Sequence, residues 1–402
     1  MRHALSRTLS VLAALLCALA LTAGEAPAAG KAKGPVKVFI LSGQSNMEGK
    51  AAVTTLDAVI GHPEMGKRYA HLKPGGKWLV RDDVWVTYLD RNNRAQAAPL
   101  HGPLSVGFGS PKTARDESGK RVPVQTLGPE LGIGLVLGAH YEEQVLLIKA
   151  CWGGRAVKYS FRPPGAMPTD DQIRKEVAEL KKGKRGKDVT FETRKAGYGS
   201  DYRKVLSETR RVLDDVGKYF PGYDKQRGFE IAGFVWFQGW NDGVGKGNPD
   251  YVEQMAHFIR DLRKDLNVPD LPFVIGELGT DGAEAGGWVA AFRKQQAAIA
   301  ARDEFQGNVR LAKTAHCWTT GPYDMSEKWA EFRKLAQANE AKANDDPTRV
   351  NPGDFFKKNW QQKYKKELAF TSDRRYHYNG SGQCYYEMGR SMGRAMVELL
   401  KK

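Results

Sequence analysis

Val36-Lys37-Val38-Phe39-Ile40-Leu41-Ser42-Gly43-Gln44-Ser45-Asn46-Met47 is the stretch on which the reading of this chain turns. Residues 36–42 are mainly apolar, with β-branched and aromatic types, and Gly43 ends the run. That pattern predicts a buried strand feeding a loop. A serine in the tight turn after a strand can raise its hydroxyl above the sheet while its own backbone N–H faces an oxyanion. A nucleophilic serine needs those donors and a base within hydrogen-bond reach. Taken alone, Ser45 reads first as a turn serine capping the next segment, as in most Gly-x-Ser sequences.

Working outward, strands are expected at Val145 to Ala150, Ile231 to Phe237, Pro272 to Gly276 and Val309 to Ala315. Helical spacing of apolar residues covers Leu127 to Glu143, Asp201 to Phe220, Tyr251 to Leu266, Trp288 to Phe305 and Ser381 to Leu400. Strands alternating with helices imply an α/β fold with a mainly parallel central sheet, helices on both faces, and a site beyond the strands' carboxyl ends. Those ends carry Gly43 to Met47, Cys151-Trp152-Gly153-Gly154, Gln238 to Asp242 and Glu277-Leu278-Gly279. Three long irregular stretches interrupt the alternation. Residues 51–125, rich in Gly, Pro and aromatics, are expected to wrap over the site entrance. Residues 161–199 hold one helix near 170–182, and residues 319–370 hold one near 326–343. Neither a repeat nor a low-complexity linker is present, which predicts a single domain over residues 29–402.

Residues 1–28 have the layout of a secretory signal: Arg2, His3 and Arg7, then an apolar run from Leu9 to Leu21, then Ala26-Pro27-Ala28-Ala29. The run is too short to span a bilayer, so the expectation is export to the periplasm or beyond, with no membrane span in the mature chain. Cleavage after Ala28 leaves nearly all of the formal charge of +16 in place. The cations are spread along most helices, densest from Arg174 to Lys195, and no zinc-finger spacing or aromatic-basic recognition motif accompanies them. A solvated basic face suited to acidic polysaccharide or an anionic envelope is expected, and no nucleic acid. Cys151, Cys317 and Cys384 remain after processing. Their odd, sparse spacing argues for buried thiols with at most one disulfide, and gives no metal set.

Ser42-Gly43-Gln44-Ser45-Asn46-Met47, then Trp152-Gly153-Gly154, then Trp236-Phe237-Gln238-Gly239, then His377 before the last helix, resembles the sialate O-acetylesterase group of the SGNH hydrolase superfamily. The ordered set covers about 340 residues. The resemblance implies a flavodoxin-like three-layer α/β/α sandwich with long loop insertions, and removal of acetyl groups from sugars, sialic acid or xylan. It places the nucleophile at Ser45 and the base at His377. The oxyanion donors it implies are the N–H groups of Ser45 and Gly154 and the side-chain amide of Gln238. Gln44, Asn46, Trp152, Gly153, Trp240 and Asn241 are expected around the substrate, an acetylated carbohydrate, and no cofactor is implied.

The chain departs from the group's pattern twice. Many members have an aspartate three residues before the histidine; Arg374 stands there, and Asp373 one residue earlier reaches the ring only if the loop bulges. Otherwise a backbone carbonyl or a distant carboxylate orients His377. Many members also carry Glu after Gln-Gly, where Trp240 stands here, offering an aromatic face to a sugar and leaving Asn241 as an alternative oxyanion donor. His316 is the competing base, whereas His62, His71 and His101 are expected nearer substrate than catalysis. Glu130 opens a helix, where a carboxylate is favoured by the dipole alone. Glu277 and Asp281 could be read as a glycosidase pair, with little else to support it. Two rival readings stay open: an esterase acting on lipid or aryl esters, and a carbohydrate-binding protein on a degenerate hydrolase scaffold.

Overall fold

The computed structural model describes residues 34–91, 97–115, 120–183, 186–318 and 325–401; the expected leader, residues 1–28, lies outside them. The sheet strands are β1 (Val36–Gly43), β2 (Arg81–Tyr88), β3 (Leu100–Leu104), β4 (Val145–Cys151), β5 (Phe229–Phe237), β6 (Phe273–Gly276) and β7 (Val309–Ala312). They lie in the order β7-β6-β5-β1-β4-β2-β3. Strands β4-β1-β5-β6-β7 are all parallel, the doubly wound order in which the chain reverses direction beside β1 and leaves a crevice at the carboxyl ends. The register puts Gly43 opposite Cys151 on one side and Phe237 on the other. Three loops therefore leave the sheet at one level.

The helices are α1 (Glu130–His140), α2 (Ser200–Leu213), α3 (Tyr251–Asp265), α4 (Gly287–Ala300) and α5 (Gly382–Leu400). Alternation along β1 sends Phe39 and Leu41 into the layer built with α1 and α5, and Ile40 into the layer built with α2, α3 and α4. All three side chains are fully buried, each worth about 1.5–3 kcal/mol of hydrophobic stabilisation. Helices α1 and α5 meet backbone to backbone. A Cβ added at Gly389 would lie 2.1 Å from the Pro129 carbonyl oxygen, so only glycine permits that approach. The contact anchors α5, whose first turn follows the His377 loop directly.

The first insertion departs from expectation. Residues 51–125 do not chiefly cover the site: β2 pairs parallel with β4, and β3 antiparallel with β2, extending the sheet at the edge away from β7. Val84, Val86 and Tyr88 are buried, but Arg81-Asp82-Asp83 at the strand's start disguise the period. Among the insertion's described residues, those near its two ends bond to segments beside the site. Ala51–Ala52 pairs with Thr126–Leu127, and Ser110 N–H donates to the Gly49 carbonyl. Residues 325–370 gather around Met325, Phe332, Trp360 and Tyr364. The predicted helices shorten at their ends, the second breaking after Leu213. Cys151, Cys317 and Cys384 are buried and form no disulfide among the described residues. Among the described residues no helix is long and apolar enough to cross a membrane.

Candidate active site

Strand β1 ends at Gly43, whose φ is +146°, and a Cβ there would sit 2.1 Å from the Phe237 carbonyl oxygen. Glycine lets the chain turn tightly against β5, and Ser45 to Glu48 form one short helical turn. Ser45 Oγ lies 2.9 Å from His377 Nε2, and His377 Nδ1 lies 3.0 Å from Asp373 Oδ1. With Nδ1–H donating to the carboxylate, Nε2 is left to accept the serine proton.

The bulge that Asp373 needs is present. Tyr378, Asn379 and Gly380 all have left-handed backbones, with φ of 52°, 53° and 61°. They curl the loop so that the Asn379 carbonyl accepts the N–H groups of both Ser372 and Asp373. Burial pushes the Asp373 carboxyl up, but the hydrogen bond and charge of His377, the Arg374 N–H and the Lys112 ammonium outweigh it and hold the group at about 2. It is ionised at any pH well above that value.

The neighbours of Ser45 are braces. Gln44, Asn46 and Glu48 are at most 2 % exposed, too enclosed to meet substrate. Gln44 Oε1 accepts from the N–H groups of Gly239 and Asn241, and its Nε2 donates to Asn241 Oδ1. Asn46 donates to the Tyr376 carbonyl and accepts from the Tyr385 hydroxyl. Glu48 Oε1 accepts the Gly153 N–H at 2.9 Å. One turn of chain thus holds all three other loops of the site.

Gly154 is exposed with φ +74°, and an added Cβ there would meet nothing within 4 Å. Among the described residues the N–H groups of Ser45 and Gly154 donate to no protein acceptor. Gln238 differs from expectation. Its Nε2 already donates to Asp242 Oδ2 at 2.7 Å and to the Arg155 carbonyl at 3.2 Å, and its Oε1 accepts from Tyr251. With both amide hydrogens engaged, it has none to offer an oxyanion. Asn241 is the contrary case: Gln44 occupies its Oδ1, which settles the amide's orientation, and its Nδ2 has no partner among the described residues.

Trp152, expected beside substrate, is 1 % exposed and packs near Phe161 in the core. Trp240 is half-buried and lies against Tyr376 and Trp288, and Tyr376 stands edge-on to His377. His316 faces Ser391 and Cys317. His71 bonds to Tyr386, His62 accepts from the Glu64 N–H, and His101 packs edge-on against Tyr219; none of these contacts belongs to the site. Glu277 accepts the N–H groups of Thr314 and Ala315, while Asp281 pairs with Arg375. Each carboxylate is committed locally, which removes the glycosidase pair.

Sequence reasoning passed over Glu48, Asp242, Lys112 and Lys149. Lys112 donates to the Ser372 carbonyl and lies 3.5 Å from Asp373 Oδ2. Asp242 is fully buried and accepts from Val157, Lys158, Gln238 and Asn248; burial, outweighing those bonds, pushes its carboxyl up. Lys149 gave a readable signal. A cation in the middle of the apolar run Val145 to Ala150 demands a buried counter-charge, and Glu130 supplies it at 2.8 Å with both side chains wholly enclosed. Lys149 also donates to the Glu48 carbonyl, supporting the turn that carries Ser45.

The chain has distant similarity to several solved structures. A protein from Arabidopsis thaliana is 17 % identical, covering 70 % of this chain and 86 % of its own, with a TM-score of 0.38. NanS is 15 % identical, covering 70 % and 78 %, with a TM-score of 0.39. A carbohydrate acetylesterase from Xanthomonas citri is 15 % identical, covering 69 % and 49 %, with a TM-score of 0.36. No curated protein matches the chain. The sequence itself is more decisive: residues 35–316, from the start of β1 to just beyond β7, match the family described as carbohydrate esterase, sialic acid-specific acetylesterase. Asp373 and His377 lie outside the matched span, but the chain belongs to that family of carbohydrate esterases.

Proposed function

We propose that this carbohydrate esterase hydrolyses O-acetyl esters on sugars, with Ser45 as nucleophile, His377 as general base and then acid, and Asp373 as the group that orients the imidazole. The observation that carries the reading is the unbroken line from Ser45 Oγ through His377 to Asp373, at 2.9 and 3.0 Å, between residues over 300 positions apart. Ser45 Oγ attacks the acetyl carbonyl carbon as its proton passes to His377 Nε2. The negative oxygen is held by the N–H groups of Ser45 and Gly154 and by Asn241 Nδ2, in place of Gln238. Donors of this kind contribute about 3–4 kcal/mol each to barrier lowering in acyl transfer. As the acyl C–O bond breaks, the His377 imidazolium gives its proton to the departing sugar oxygen, which leaves as a hydroxyl. Water, deprotonated by the same nitrogen, releases acetate from Ser45.

Trp240 and Tyr376, half-exposed beside His377, offer the apolar face on which a sugar ring stacks. The N-terminal pattern of residues 1–28 supports export, which would place the enzyme with extracytoplasmic carbohydrate. The test is acetate release from a chromogenic acetyl ester, acetylated xylan and O-acetylated sialic acid, with long-chain esters alongside. Ser45→Ala is expected to lower turnover by at least about a thousand-fold with an unchanged melting temperature. Activity surviving in that variant, or preference for long acyl chains, overturns the reading.

A further inference from the structure

Asp373 spends one carboxylate oxygen on His377; the other faces a lysine. Lys112 Nζ lies 3.5 Å from Asp373 Oδ2 and also donates to the Ser372 carbonyl, so it grips the start of the base loop at two points. The backbone beneath it is anchored to the other side of the site. Ser110 N–H donates to the Gly49 carbonyl, Gly109 N–H to Thr126, and the Lys112 carbonyl accepts from Val124. Lys112 therefore bridges the segment bound to the nucleophile turn and the loop that carries the base. Its side chain is 24 % exposed, which leaves its charge partly unscreened by water. Burial drives the ammonium's pKa down and Asp373 drives it up, so the carboxylate is what offsets the cost of keeping a cation there.

We propose that Lys112 is a positioning residue for the base: it holds the Asp373 carboxylate in the rotamer that serves His377 and, by its charge, keeps the imidazole neutral and proton-accepting to lower pH. The physical argument has two parts of the same sign. A cation beside Asp373 draws on the carboxylate's negative charge and weakens its support for an imidazolium. The same cation also repels the imidazolium directly. The other charges near this group do not duplicate that effect. Lys50 is neutralised by Glu48 Oε2 at 2.5 Å, Arg375 by Asp281 at 2.7 Å, and Arg374 reaches Tyr376 through its guanidinium and Asp373 only through its backbone N–H. Tyr385, from α5, also feels the Asp373 charge, but burial keeps its phenol protonated. Among these cations Lys112 is thus the one whose carboxylate partner is Asp373 itself, on the side of the acid away from His377.

This inference rests on the Ser45–His377–Asp373 reading, so its test includes a readout that does not require turnover. The His377 imidazole resonances of the full mature chain, identified by their loss in His377→Asn, are followed with pH in wild type, Lys112→Met and Lys112→Arg. Met keeps the length of the stem without the charge; Arg keeps the charge. The titration midpoint of His377 is expected to rise by about 0.5 pH unit or more in Lys112→Met and to stay near wild type in Lys112→Arg. In kinetics on a chromogenic acetyl ester, the acid limb of kcat/KM moves up by the same amount, and the loss is greatest at the acid end. A midpoint that does not move in folded Lys112→Met overturns the proposal, as does an equal shift in Lys112→Arg, which would mark a purely structural brace. A clear midpoint shift in a chain without esterase activity would sustain the electrostatic coupling and sink the catalytic reading instead.

Discussion

The nucleophile turn, residues 44–48, and the base loop, residues 372–380, hold the two ends of one hydrogen-bonded line, yet they are built in opposite ways. The turn is buried, and after the extended Gln44 its backbone is ordinary helix over Ser45 to Glu48. It organises its surroundings by reaching outward: Gln44 to the Asn241 loop, Asn46 to the His377 loop and Glu48 to the Gly153 loop. The base loop is half-exposed, and Tyr378 and Asn379 take left-handed conformations that cost L-residues about 1–2 kcal/mol each. It is held from outside. The Tyr378 hydroxyl accepts the Gly279 N–H while its ring packs near Phe237, Trp318 and Tyr385. Ser372 Oγ accepts the Ala52 N–H, and Lys112 clasps Ser372 and Asp373. One element generates its own order and exports it; the other has its order imposed.

The difference predicts where damage spreads, and the sharpest break is at the imposed end. Asp373→Asn keeps the side chain's size but offers an amide where His377 Nδ1–H expects an anion, freeing the ring to adopt the wrong tautomer. A fall in kcat of about a hundred- to ten-thousand-fold is expected, with KM little changed. The same substitution has a pH signature in stability. The carboxyl is held at about 2 against an ordinary 3.8. Its stabilising contribution is therefore complete above the ordinary value and disappears as pH falls to about 2. A melting-temperature profile should lose that acid segment in Asp373→Asn, and a profile parallel to wild type between those values would contradict the assignment.

At the exporting end the effect is smaller but travels further. Glu48→Gln replaces an acceptor flanked by the Gly153 N–H and the Lys50 ammonium with a group whose amide must point a donor at one of them. The Gly153 N–H then loses part of its tether, and the adjoining Gly154 N–H, the proposed oxyanion donor, drifts. Displacement of about 1 Å is enough to lower rates by about a hundred-fold, so kcat is expected to drop by about 10- to 100-fold although Glu48 touches no substrate. A variant with normal kcat would show that the Gly153 loop holds itself.

The same contrast explains what could be read from the sequence. The self-ordered parts were legible. Val36 to Ser42 and the four alternating strand–helix units carry local periodicity, and Gly43 to Met47 is contiguous, so the parallel sheet and the placement of Ser45 and His377 followed. Asp373 was legible only on the condition of a bulge, because its reach depends on the bend at Tyr378-Asn379, which residues distant in sequence enforce. Which of the Gln238 and Asn241 amides keeps an unengaged N–H was hidden for the same reason: it is decided by Asp242, Arg155, Tyr251 and Gln44, none of them adjacent to Gln238. Trp152 and Trp240 look alike in a string of letters, yet one faces the core and the other the site mouth. Strand β2 was hidden because charged residues open it.

The smallest predicted effect separates the two causes of the left-handed bend. Tyr378 is held by its buried ring, but Asn379 keeps its conformation because its carbonyl serves Ser372 and Asp373, a duty any residue's backbone can perform. Asn379→Gly removes the conformational penalty in the folded state and adds freedom to the unfolded chain, two terms of similar size and opposite sign. Stability is expected to change by no more than about 0.5 kcal/mol, with kcat/KM within about two-fold of wild type. The check is a thermal melt beside the acetyl-ester assay. A loss much larger than this would mean that the Asn379 side chain itself orders the loop, and the distinction between imposed and self-generated order would then narrow to Tyr378 and Lys112.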